Sequence, residues 1–316
     1  MKRNDVTFRS AGTTCAAWHY AGQGAAFQTE AGRPCVVMAH GFSCTRDAGL
    51  EGYAEGFAAA GLDVLLFDYR GFGASGGEMR QHIDYRGQRA DYHAAVAAAR
   101  RLRGVDPDRI VLWGTSYSGG HVLNVAARDR RIAAVLSLTP AVDGIPVLGM
   151  IAKSAGVGKL LALTVAGLRD RVGRRPYMLP AIGPADSPAV IAKDGALEDF
   201  LAVTGPWWRN EIRARCTLDV ARNRPVLGIR RITAPLLVQV GDLDTVVSSP
   251  AAERAARKAT APTELRHYPV DHFDVYADPW LPTVFKDQLE FVSRWLDASG
   301  TDATASSREV VTSVAI

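Results

Sequence analysis

Ser116, His272 and a small set of aspartates stand in this chain where nucleophilic chemistry could be done. The serine lies in Val111-Leu112-Trp113-Gly114-Thr115-Ser116-Tyr117-Ser118-Gly119-Gly120. A short apolar run ends in a serine with a small residue two positions away on each side, Gly114 and Ser118, and a helix-like stretch, 121–128, follows. That is the form of a nucleophile elbow, a sharp strand-to-helix turn that holds a hydroxyl up in a strained, exposed conformation. The flanking residues must be small because the turn brings backbone and side chains together. Ser118 departs from the glycine usual in the second place, yet it is still small. A plain turn can look the same locally, so the rest of the chain has to supply the partners.

A serine nucleophile needs a base, an acid to orient that base, and donors for an oxyanion. His272 lies in Tyr268-Pro269-Val270-Asp271-His272-Phe273-Asp274, on a loop just after the last strand-like run, 264–268. None of His19, His40, His82, His93, His121 and His267 follows that strand on a loop. The acid is sought in Val240-Gly241-Asp242-Leu243-Asp244-Thr245, where a strong apolar run ends in two carboxylates. Asp244, three residues past the glycine, is placed to reach the histidine loop; Asp242 is expected to bond the turn backbone. Asp143, after the preceding strand, is a third candidate. The oxyanion donors are assigned to the backbone N–H groups of Phe42, in Ala39-His40-Gly41-Phe42-Ser43, and of Tyr117, the residue after the nucleophile. Losing one such donor typically costs about 100- to 1,000-fold in rate. His40 is expected to scaffold its loop. The glycine-rich stretch 68–77 has the wrong spacing for a phosphate loop and no following Lys-Ser/Thr, so it is read as a structural turn. Asp91 and Tyr92, on the next helix, are expected to face solvent or cap.

These residues require elements that end on one edge. Segments 6–9 and 16–20 read as an opening hairpin. Compact apolar runs at 36–39, 64–67, 110–113, 134–138 and 236–240 fit strands buried on both faces of a mostly parallel sheet. Between them lie helix-like stretches at 53–60, 85–103, 121–128 and 251–259. A closing helix, 281–296, has Phe285, Leu289, Val292, Trp295 and Leu296 at helical spacing. Alternating strands and helices predict a doubly wound α/β fold. The alternation breaks after Pro140. Residues 141–231 carry helical stretches, notably 158–171, and then Pro176, Pro180, Pro184, Pro188 and Pro206. This segment is read as a helical cap inserted into a core made of 1–140 and 232–298. The tail, 299–316, is rich in Ser, Thr and Ala without periodicity and is expected to be disordered.

At 316 residues, 47% hydrophobic and 22% charged, the chain can bury a sizeable core. Its net charge is only +4, and its arginines are scattered with no aromatic interleaving, which argues against a nucleic-acid partner. The N-terminal residues do not form an apolar signal region, and no uncharged apolar run approaches about 18 residues, so neither secretion nor a membrane span is expected. The four cysteines, Cys15, Cys35, Cys44 and Cys216, lack C-x-x-C spacing and partner histidines. They are read as free thiols in a cytoplasmic protein, with no metal site.

Together these blocks resemble the α/β-hydrolase family. His40-Gly41, Asp68-Tyr69-Arg70-Gly71-Phe72-Gly73-x-Ser75, Gly114-x-Ser116-x-Ser118-Gly119, Gly241-x-x-Asp244 and His272-Phe273 occur in family order. The resemblance covers about 36–139 and 235–296 and leaves the cap and tail unmatched. It implies Ser116 as nucleophile, Asp244 as acid and His272 as base, in the chain order this fold uses. It also implies two-step acyl transfer without a cofactor. Haloalkane dehalogenases and epoxide hydrolases carry aspartate at the elbow and true dienelactone hydrolases carry cysteine, so serine disfavours all three. The endings look like the esterase, acyl-peptidase and polyketide-processing branches. The leading expectation is hydrolysis of a carboxylic ester or thioester of a small-molecule acyl substrate. Kept beside it are an acyltransferase or cyclase, an aminopeptidase-like enzyme using Glu198, Asp199 and Glu211 to hold an amine, and a non-catalytic binding protein. Trp207, Trp208 and Leu161 are the candidate substrate contacts. The other apolar cap residues (Leu160, Leu163, Val165, Met178, Leu179) are expected mostly to bury the cap on the sheet. A homodimer is left open.

Overall fold

The computed structural model describes residues 2–297. The predicted tail therefore lies outside the described residues. Eight strands form one sheet: β1 (Asn4–Ser10), β2 (Thr13–Tyr20), β3 (Arg33–Ala39), β4 (Asp63–Phe67), β5 (Val105–Thr115), β6 (Ile132–Leu138), β7 (Leu236–Gly241) and β8 (Thr263–Tyr268). Their spatial order is β1-β2-β4-β3-β5-β6-β7-β8. β1 and β2 pair antiparallel and β2 meets β4 antiparallel; every later pairing is parallel. This is the doubly wound, mostly parallel α/β sheet that the alternation of elements predicts, in the α/β-hydrolase form that the resemblance implies.

The helices are α1 (Glu51–Ala59), α2 (Tyr85–Ala99), α3 (Tyr117–Ala126), α4 (Gly144–Val172), α5 (Ala196–Leu201), α6 (Ser249–Lys258) and α7 (Trp280–Asp297). The strands are apolar at successive positions because both faces are covered. Val37, Ala39, Leu65, Phe67, Ile110, Leu112 and Val135 enter one core cluster with Tyr92, Val96, Val122 and Leu123 from α2 and α3. Their neighbours Val36, Met38, Val64, Leu66, Val111, Trp113 and Leu136 enter a second with Tyr53 and Phe57 of α1 and Phe291 and Val292 of α7. A period of two thus splits each strand between two cores.

β3 lies between β4 and β5, so the chain winds to one side of β3 and then returns to the other. Ligand crevices of open α/β sheets form outside the carboxyl ends of strands at such a reversal. The ends of β3, β5, β7 and β8 carry the loops at issue.

Two local expectations fail. Asp91 and Tyr92, expected at the solvent face or a cap of α2, are fully buried. Asp91 takes the Arg70 guanidinium (Nε–Oδ1 2.8 Å), and the Tyr92 hydroxyl donates to the Val37 carbonyl at 2.9 Å. α2 turns this face onto the sheet, and local spacing does not reveal which polar residues a helix takes inward with partners already waiting.

Residues 141–231 hold α4, α5, two 3₁₀ segments (Ala214–Arg222 and Pro225–Arg231) and only two-residue strand pieces. α4 is longer than predicted, starting at Gly144 and broken at Gly156, where φ is 81°.

Candidate active site

Ser116 sits between the last residue of β5 and the first of α3, at φ 55° and ψ −117°. A non-glycine residue there is strained by roughly 1–3 kcal/mol and persists only where its surroundings over-determine it. They do so here. Ser116 N–H donates to the Leu138 carbonyl, and the Ser116 carbonyl accepts from Ala141 N–H, both at 2.9 Å. Gly114 has to be glycine, since a Cβ there would lie 2.3 Å from the Ser118 carbonyl oxygen. The Ser118 hydroxyl accepts from Thr115 N–H (2.9 Å) and donates toward the carbonyl of Ala39 (2.7 Å). The serine that departs from the family glycine therefore fastens the elbow to the end of β3.

The loops after β7 and β8 supply the partners. His272 Nε2 is 3.0 Å from Ser116 Oγ, and His272 Nδ1 is 2.7 Å from Asp244 Oδ2. The other Asp244 oxygen accepts from the N–H groups of Val246 and Val247, each at 2.8 Å. With a carboxylate on Nδ1, the proton belongs on that nitrogen and Nε2 is left to accept from the serine hydroxyl. All three side chains are buried. Burial keeps water from competing for these bonds.

The other two acids are employed elsewhere. Asp143 caps α4 through Ile145 N–H (3.1 Å) and takes Arg224 at 2.9 Å. Asp242, expected to bond the turn backbone, instead meets His267 Nδ1 at 2.7 Å, because β7 and β8 are adjacent.

Gly41 lies against the nucleophile: a Cβ there would approach Ser116 Cβ to 3.1 Å. This brings the Phe42 backbone beside Ser116, and the Phe42 and Tyr117 rings meet edge to face at 5.7 Å. Tyr117 opens α3, so its N–H has no intrahelical carbonyl to bond. His40 supports this loop from below. Its Nδ1–H donates to the Gly41 carbonyl (3.0 Å) and its Nε2 accepts from Tyr69 N–H (3.4 Å). Burial lowers its pKa to about 4, so the ring is neutral and fit for both bonds. The stretch 68–77 closes as a turn, with Asp68 accepting from Arg46 N–H (2.7 Å) and Ala74 N–H (3.1 Å).

Ser116, His272, Gly41 and Phe42 line a cavity of about 20 Å³, space for about one water. Its roof is apolar: Ile182, Ile191, Phe200 and Val203 from residues 141–231. Val203 and Tyr276 are shared with a neighbouring open cleft of about 620 Å³, which Trp18 and Trp207 also line. Leu161 lines neither; it is 65% exposed on the outside of α4. Trp208 stands one layer back, edge to face with Phe200 at 4.9 Å, and Trp207 belongs to the open cleft. Of the apolar cap residues expected to bury, Leu163 and Leu179 do, Leu160 and Met178 are half-buried, and Val165 is exposed; Leu168, on the same helix, is exposed too. Glu198, Asp199 and Glu211 are absent from both linings.

Three contributors were missed by sequence reasoning. The Tyr276 hydroxyl bonds Thr115 Oγ1 at 2.6 Å, beside the nucleophile. Asp271 accepts from Thr245 N–H (3.0 Å) and His272 N–H (2.7 Å), joining the loop that carries Asp244 to the one that carries His272. Lys193, from the roof segment, pairs with Asp271 and donates to Thr245 Oγ1 at 2.7 Å. Burial alone would raise the Asp271 pKa, but Lys193 and the two N–H donors outweigh it and hold it below the ordinary carboxylate value. Only Asp271, next to the histidine, had a positional signal.

A family model described as serine aminopeptidase, S33, matches residues 30–271. The quorum-quenching protein AidA of Acinetobacter baumannii is 38% identical over 298 residues, covering 92% of this chain and 94% of that protein. The polyketide transferase af380 of Aspergillus fumigatus is 29% identical over 94% of this chain and its own whole length. Among solved structures, the α/β hydrolase GrgF from Penicillium superposes with a TM-score of 0.78 at 25% identity, covering 94% of this chain and all of that one.

Proposed function

The chain belongs to the serine aminopeptidase, S33 family of α/β hydrolases, and within it we propose a serine hydrolase that cleaves a carboxylic ester or thioester through an acyl-enzyme on Ser116. The observation that carries this reading is the buried relay Ser116–His272–Asp244, with links of 3.0 and 2.7 Å. His272 Nε2 takes the hydroxyl proton as Ser116 Oγ attacks the carbonyl carbon. The negative charge that develops on the carbonyl oxygen is held by the N–H groups of Phe42 and Tyr117, and Asp244 stabilises the imidazolium. As the tetrahedral intermediate collapses, His272 returns the proton to the departing oxygen or sulfur. Water activated by the same imidazole then attacks the ester on Ser116 and frees the acid. The roof over the site is a cap in this reading, and it must shift to admit a substrate larger than the cavity.

Acyl transfer is the second reading, and one observation favours it. The cavity is small and roofed by apolar side chains, which limits water around an acyl-enzyme. The names of two relatives, both polyketide transferases, point the same way. The amide-cleaving alternative has less support, because the carboxylates offered for a substrate amine line neither the cavity nor the cleft.

The test is turnover of matched oxygen esters and thioesters over a range of acyl lengths, by wild type and Ser116→Ala, with and without an added alcohol. Serine-dependent release of free acid supports the hydrolase. Acyl-alcohol product in place of acid supports the transferase. If Ser116→Ala turns over as fast as wild type, the relay is not the catalyst.

A further inference from the structure

α4 is built the wrong way round for a helix facing water. After the break at Gly156, residues 157–172 carry Leu163, Ala166, Gly167 and Asp170 on a buried face. That face is fastened to the 3₁₀ segment Ala214–Arg222. Thr217 Oγ1 donates to the Leu163 carbonyl at 2.8 Å, and Asp170 takes Arg213 and Arg215 at 2.9 and 2.8 Å. On the opposite side, where polar residues belong, stand Val157, Leu161, Val165, Leu168 and Val172, each between 49% and 81% exposed. From Leu161 to Val172 the spacing is 4, 3, 4, which keeps the stripe straight along about 17 Å of helix. By length and composition the whole helix could cross a membrane. Its ion-paired buried face ties it to the protein instead.

The charges that segment 144–175 exposes are of one sign. Lys153, Arg169, Arg171, Arg174 and Arg175 are exposed, and Lys159 is half-buried. At about 100° per residue, Arg169 and Arg171 fall on opposite flanks of the stripe. Asp170 is the only acid in 144–175, and it is already spent on two arginines. We propose that this face of α4 docks on an anionic lipid surface, lying in the interface with its apolar stripe among the acyl chains and its basic flanks on the headgroups, without spanning the bilayer. Amphipathic helices bind in this way, through buried apolar area plus attraction to anionic lipid. A second copy of the chain is a poorer occupant. Pairing this face with itself would bring together two copies of a basic segment, 144–175, whose one acid, Asp170, is already paired. The proposal does not depend on the reaction assigned to Ser116.

Flotation of the full chain with vesicles tests it. Wild type is expected to float with equimolar phosphatidylcholine and phosphatidylglycerol, to stay behind with phosphatidylcholine alone, and to be released by raised salt. Val165→Ser/Leu168→Ser/Val172→Ser and, separately, Arg169→Glu/Arg171→Glu should each lower the bound fraction about tenfold or more, with melting temperatures within a few degrees of wild type. The second variant keeps the test open if the first folds poorly. Three results would overturn the proposal: no flotation with either vesicle, equal flotation with both, or flotation that neither variant changes. A dimer in velocity sedimentation that the triple variant dissociates would also overturn it, giving the face to a second copy.

Discussion

Removing one hydroxyl, in Ser118→Ala, should loosen both the fold and the nucleophile. Ser118 is fully buried, and its oxygen accepts from Thr115 N–H at 2.9 Å while its proton goes toward the carbonyl of Ala39 at 2.7 Å. Alanine deprives both backbone groups of that partner where water does not reach. A buried polar group left unpaired costs about 1–3 kcal/mol, so the pair should cost about 2–6 kcal/mol. For a chain of this size each kcal/mol moves the melting temperature by about 2 °C, which gives a fall of about 4–12 °C. The kinetic effect has a different origin. The Ser118 hydroxyl is one of the ties that hold Ser116 at φ 55°. Relaxation worth about 1.4 kcal/mol would cost about tenfold in kcat. The assay is thermal melting by circular dichroism beside kcat and KM on a short ester. If both the melting temperature and kcat stay at wild-type values, the hydroxyl is a spectator and the reasoning fails. A lower melting temperature with unchanged kcat would assign the strain to the remaining backbone ties, at Leu138 and Ala141.

Two further perturbations probe the surroundings of the site. Lys193 joins the roof to Asp271, and both groups are partly exposed, so the pair should be screened by salt. Lys193→Ala is expected to lower KM for bulky esters several-fold and to remove the salt dependence of kcat/KM; an unchanged KM would mean that the pair does not restrain the roof. His121 lies behind Tyr117, with Nε2 on Gln88 Oε1 at 3.0 Å and Nδ1 accepting from Arg89 at 3.4 Å. Burial first, and then Arg89, hold its pKa well below the ordinary 6.5. A depressed histidine contributes stability that is present above 6.5 and is lost as pH falls toward its folded value, at about 1.4 kcal/mol per pH unit. Stability should therefore fall as the pH drops from 6.5 to 5, and His121→Gln should be free of that loss. Urea midpoints at pH 7 and pH 5 decide: equal acid losses in the two proteins would remove His121 as the cause.

The sequence by itself determined the strand order in time, the α/β class, the elbow and the residues at its partner strand ends. Chemistry of this kind leaves local marks. Gly114 has no room for a Cβ, a strand buried on both faces is apolar at successive positions, and a histidine on a loop after the last strand has few other uses. Tertiary structure alone decided what each polar group answers to. It gave Asp244 to His272 but Asp242 to His267 and Asp143 to Arg224. It turned Asp91 and Tyr92 inward, brought Tyr276 to Thr115, and left the apolar stripe of α4 facing out. Periodicity shows that a helix has an apolar side and cannot show which side meets the protein. α4 has two candidate sides, and only the packing of Gly167 against Thr217 and Leu218, with the Thr217 hydroxyl on the Leu163 carbonyl, chose between them. Hydrogen bonds and ion pairs between residues far apart in the chain have no period at all, because their range in space is a few ångströms and their range in sequence is the whole chain.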